Sequence, residues 1–122
     1  MKINQNFSIP AGADAAVAFD VDEADGLDTL SGCILWWEVF EQEYGCPIPG
    51  VSPVLVKTND SNSDGITLAI SPPLRFYVNM LYADTIGLLR NYYHEAKFVD
   101  ATGKNIPIVS GIMTVTGTEI RP

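Results

Sequence analysis

The sequence predicts an all-β fold, a two-layer antiparallel β-sandwich of about seven or eight strands. Three observations predict it. Apolar and polar residues alternate over short runs, the period of half-buried strands. Turn-forming residues break those runs roughly every 8–12 residues, the spacing of sandwich hairpins. No stretch holds a helical period over three turns, so a parallel sheet with crossover helices is not expected.

Each element follows from its residues. Residues 1–11 are expected to form an N-terminal arm. Val17, Phe19 and Val21 alternate with Ala16, Ala18 and Asp20 as a half-buried strand. The acidic run Asp22, Glu23, Asp25, Gly26 and Asp28 reads as a solvated turn. Residues 32–41 form the next strand, with Cys33, Leu35, Trp37 and Val39 on one face. Gly45, Pro47, Pro49, Gly50 and Pro53 mark a loop, because proline cannot donate to a ladder. Residues 54–57 are a short strand and 59–65 a polar turn. Ile66, Leu68 and Ile70 alternate again, and after Pro72 and Pro73 so do Phe76, Val78 and Met80. Residues 83–89 hold the one helical turn. Strands over 92–99 and 106–116 close the fold around a turn at 100–103. Trp37 shares its phase with Leu35 and Val39 and is expected between the sheets, with Phe76 and Phe98 around it.

Composition narrows the function. The chain has 122 residues, a single-domain length, and its 47% hydrophobic content suits a packed core rather than disorder. Seven Lys and Arg against fifteen Asp and Glu give a net charge of −8. Phosphate binding needs cationic side chains, so neither nucleic acid nor an anionic membrane is expected as a partner. Asn4, Gln5 and Asn6 follow Lys2 where the apolar part of an export signal would lie. The chain is therefore expected to be made in the cytoplasm, with Cys33 and Cys46 as reduced thiols.

Candidate chemistry is sparse. His94, the one histidine, shares a strand face with Tyr92, Ala96 and Phe98, and reads as a half-buried residue bonded to backbone rather than a catalytic base. An enzyme would need a deep pocket joining His94 to Glu95 or Asp84. No catalytic residue and no cofactor are expected. Asp60, Asn62 and Asp64, followed by Gly65, match the opening of a calcium loop. The twelfth position is Ser71 rather than the bidentate Glu, and an Asp-Gly turn explains the same residues.

The informative residues lie on the wrong face. Ile34, Trp36 and Phe40 oppose the core phase of their own strand, and Tyr77 and Tyr93 oppose that of theirs. Contiguous exposed aromatics are uncommon in monomers and enriched at interfaces. These five residues are the candidate interface, with Trp36 and Tyr77 expected as neighbours in one sheet.

Several pieces in order carry a resemblance. They are Leu30-Ser31-Gly32 before the strand of Trp37 and Val39, then Val54-Leu55-Val56-Lys57-Thr58, then Asp64-Gly65-Ile66. Asp84-Thr85, Tyr92-Tyr93-His94-Glu95, Asp100-Ala101-Thr102-Gly103 and the run from Ser110 to Val115 follow. Over roughly residues 14–117 the chain resembles the small β-sandwich domains of tailed-bacteriophage virion proteins, found in tail, baseplate, neck and head-surface components. It departs from them at Arg90-Asn91 and in Trp36. The resemblance implies an immunoglobulin-like sandwich with a structural, non-enzymatic role, whose partners are other virion proteins of the capsid, neck or tail. The alternative is an adhesin-like module that binds a host-surface glycan, with calcium at the 60–64 loop.

The missing twelfth ligand sets the first expected result. EDTA should leave the melting temperature unchanged, because only a ligand bound by the native state adds stability. A melting temperature that rises clearly with added calcium would make the loop a metal site.

Overall fold

A computed structural model describes residues 2–21, 34–60, 65–69, 74–88, 90–99 and 102–117. Among the described residues nine strands and one helical turn run in order: β1 (Phe7–Pro10), β2 (Ala15–Asp20), β3 (Ile34–Glu43), β4 (Cys46–Pro47), β5 (Leu55–Thr58), β6 (Ile66–Ala69), β7 (Arg75–Met80), α1 (Tyr82–Thr85), β8 (Arg90–Val99) and β9 (Asn105–Thr116). The larger sheet has the order β1-β9-β8-β3-β4, with β5 also on β3; the smaller is β2-β7-β6. Neighbours are antiparallel, except that β1 runs parallel to β9.

This order is that of an immunoglobulin-like sandwich. The second, seventh and sixth strands make one sheet; the third, eighth and ninth make the other, extended by the fifth. Trp37 stands on β3 where such sandwiches place their buried tryptophan, and it is wholly buried. Leu35, Val39, Phe76 and Phe98 share its core cluster, as their alternation predicts. Tyr92 lies near the start of β8, and His94 follows two residues later, at the place of the second inter-sheet cysteine. Here Phe19 of β2 packs on His94 instead, with ring centroids 5.3 Å apart.

Two strands escape the sequence reading. Tyr44 and Gly45 both have positive φ (55° and 78°), as a two-residue hairpin turn requires, so the proline-rich loop begins with the short ladder of β4. The expected N-terminal arm is an edge strand. Lys2 bridges Val109 and Phe7 aligns with Met113, so this segment advances five residues while β9 advances four. The extra residue falls near Asn4, whose φ of 57° suits asparagine better than most residues. The kink turns the Gln5 carbonyl inward over Gly111.

Polar contacts close one end of the sandwich. The Asp84 carboxylate accepts from the Leu81 N–H at 2.7 Å and pairs with Lys57 at 2.7 Å. Buried Thr85 accepts from the Gly12 N–H at 2.9 Å.

Gly111 tests this packing. A β-carbon there would sit 2.5 Å from the Gln5 oxygen, a backbone atom that cannot swing aside. Gly111→Ala should cost about 2–4 kcal/mol, combining overpacking with a lost buried hydrogen bond. A denaturant midpoint equal to the parent's would show that the N-terminal strand docks elsewhere.

Candidate docking face

The candidate residues fall on two faces. Ile34, Trp36 and Phe40 lie on the outer side of β3, and Tyr93 on the outer side of β8; all are half-buried. Strand register brings them together. Ile34 is opposite Val99, Trp36 opposite Lys97, and Phe40 opposite Tyr93, with ring centroids 6.5 Å apart. Tyr93 in turn is opposite Ile112 of β9. Beside Trp36 the surface dips into a shallow groove lined by Glu38, Val56, Lys97, Val99 and Asn105.

Tyr77 does not join them. It sits on β7, between Ala18 of β2 and Thr67 of β6, in the other sheet. The expected Trp36–Tyr77 neighbourhood fails because the third strand crosses to the sheet of the eighth and ninth. Alternation places Tyr77 outward, but outward there is the opposite side of the molecule. Its surroundings are polar: Arg75 pairs with Asp20 at 2.6 Å, and Asn79 donates to Thr67 at 3.0 Å.

The two carboxylates inside the aromatic band are absent from the sequence-derived set. Glu38 and Glu95 are directly opposite on β3 and β8. Lys97 reaches Glu38 at 3.4 Å, and the Tyr93 hydroxyl donates to Glu95 at 3.2 Å. Burial first, then the Glu95 charge, hold the Tyr93 phenol above its usual pKa, so it stays a donor. Alternation places Glu38 and Glu95 outward; only strand register shows them adjacent. A third missed residue is Tyr44, which is 95% exposed at the hairpin tip. Its signal was the Tyr-Gly pair itself.

The other candidates are plainly placed. His94 is wholly buried, deeper than expected, and both ring nitrogens are engaged. The Trp37 Nε1–H donates to Nδ1 at 3.1 Å, so Nε2 carries the proton and donates to the Gln5 carbonyl at 2.7 Å. The bond to backbone is the one expected. Glu95 points to the other face of the strand, and Asp84 is held by Lys57. Cys46 is a free, exposed thiol, while Cys33 lies outside the described residues. Asp60 is exposed with its N–H on the Thr58 hydroxyl; Asn62 and Asp64 lie outside the described residues. Among the described residues no helix is long and apolar enough to cross a membrane.

No protein-family model matches the chain, and no curated protein is similar to it in sequence.

Desolvation lowers the His94 pKa from 6.5 to about 4, against a smaller opposing effect of the Gln5 bond. A folded pKa below the unfolded one means that the unfolded chain takes up the proton first. The stability is therefore full above about pH 6.5 and is lost as pH falls towards 4, by roughly 3 kcal/mol in all. Thermal melts between these limits should show this slope, and His94→Phe should lack that part of it. Parallel pH profiles for the two proteins would show that His94 is not buried neutral.

Proposed function

We propose that this chain is a non-enzymatic structural protein of a tailed-bacteriophage virion. It docks onto a larger symmetric assembly, on the capsid surface, neck or tail, through the outer face of its larger sheet. The observation that carries this reading is the band of Trp36, Phe40 and Tyr93 gathered on one outer face by strand register. Half-buried aromatics on a flat face make interface anchors at little cost in conformational entropy. The ordered resemblance to virion sandwich domains supports the same reading. So does a core whose histidine is wholly buried, with both ring nitrogens hydrogen-bonded within the protein.

Trp36→Asp tests the face. Trp36 lies outside the core, so the variant should keep the parental circular dichroism. Its affinity for the assembly should fall by about thirty-fold or more, the effect of losing an interface anchor worth about 2 kcal/mol. Repetition across an array would amplify the loss. Occupancy on purified virions is the measurement. A folded variant at parental occupancy would move the docking surface off this face.

A further inference from the structure

The Glu38–Glu95 pair breaks a rule of sheet stability. Like charges directly opposite each other on antiparallel strands are destabilising. Glu38 is only 17% exposed, so water screens it weakly. Lys97 answers one of the two carboxylates, and the partner of Glu95 is a neutral phenol. One ammonium for two carboxylates leaves a net negative charge within an aromatic frame. Trp36 lies on one side of the pair along β3; Phe40 and Tyr93 lie on the other. Departures of this kind collect at functional sites, where a partner supplies what the free protein lacks.

One group matches every part of this site. A guanidinium is a permanent cation, bonds carboxylates through a planar fork, and stacks on aromatic rings. An ammonium offers the charge without the fork or the plane. We infer that the outer face receives an arginine side chain of a partner protein at Glu38 and Glu95, with apolar residues of the same segment packing on Trp36 and Phe40. This rests on reading that face as the docking surface. The net charge of −8 favours encounter with a basic partner. A second copy docked face to face would set these carboxylates against their own kind, so the occupant is a different, basic protein.

The test uses the full chain and a short probe, acetyl-Leu-Arg-Leu-amide, titrated while the Trp36 indole and Tyr93 ring signals are followed by NMR. The same peptide with citrulline keeps the shape and removes the charge. The arginine peptide should shift both signals saturably, and citrulline should bind at least about ten-fold more weakly, the usual effect of losing a charge-assisted hydrogen bond. Glu95→Gln, which keeps an acceptor for Tyr93, should weaken the arginine peptide by a similar factor. The inference is overturned by equal binding of the citrulline peptide or of the same peptide with lysine in place of arginine, or by unchanged affinity in the Glu38→Gln/Glu95→Gln double variant. Absence of saturable shifts up to about 20 mM peptide overturns it as well, since even fragment binding falls in that range. Self-association of the parent that Trp36→Asp abolishes would make a second copy the occupant and also overturn it. The virion reading stands or falls separately. A chain absent from virions that still binds arginine through Glu95 removes that reading alone. Virion occupancy that falls with Trp36→Asp but not with the double Gln variant removes the arginine alone.

Discussion

The sandwich depends on one short chain of hydrogen bonds through its centre, from the Trp37 indole to the His94 ring to the Gln5 carbonyl. Three segments far apart in sequence meet there: β3, β8 and the kinked N-terminal strand. Each bond contributes on the order of 1 kcal/mol net, but a buried donor or acceptor left without a partner costs about 1–3 kcal/mol. The chain is therefore worth most as a constraint. It orients the Trp37 ring, fixes the His94 tautomer and holds the N-terminal segment against β9. Phe7 and Phe19 pack on His94 with ring centroids 5.2 and 5.3 Å away, so the imidazole is also a packing element. Other immunoglobulin-like sandwiches can place a disulfide here. This one uses aromatic packing and hydrogen bonds, which need no oxidising compartment.

Much of the fold was legible because alternation is a local signal. Leu35, Trp37 and Val39, or Phe76, Val78 and Met80, declare their inward face by spacing alone, and all six are buried. What alternation cannot say is which strands are neighbours. That is why Trp36 and Phe40 were found while Tyr77 was wrongly placed beside them, and why the Glu38–Glu95 pair was not foreseen. Pairing is decided by contacts between distant segments, and Glu38 meets Glu95 across 57 positions. The N-terminal strand was illegible for another reason. Its register depends on a left-handed Asn4 and on the close approach of Gln5 to Gly111, neither of which has a periodic signature.

The two outer faces are unlike, and the difference bears on function. The smaller sheet turns Arg75, Tyr77 and Asn79 outward, with Asp20 and Thr67 as polar partners. Such a face is at ease in water. The larger sheet turns out Trp36, Phe40, Tyr93 and Ile112, with carboxylates among them. Aromatic area favours burial and the charges select what buries it, so an apolar band alone would be promiscuous. Carboxylates within it disfavour contact with other acidic surfaces.

The central strand links the two halves of this account. On β8, Tyr92, His94, Ala96 and Phe98 point into the core, and Tyr93, Glu95, Lys97 and Val99 point out. Core and candidate docking face are thus the two sides of one strand, held between β3 and β9. A one-residue slip of β8 would put Glu95 and Lys97 among the apolar core and His94 on the surface. Register is strongly specified when one side is buried, and here the buried side carries a hydrogen bond as well as apolar contacts. The Trp37–His94 bond ties β8 to β3 at the residues adjoining Glu38 and Glu95. The geometry of the outer carboxylates is therefore set from beneath, by fully buried and hydrogen-bonded side chains, and a docking surface so supported would lose little conformational freedom on binding.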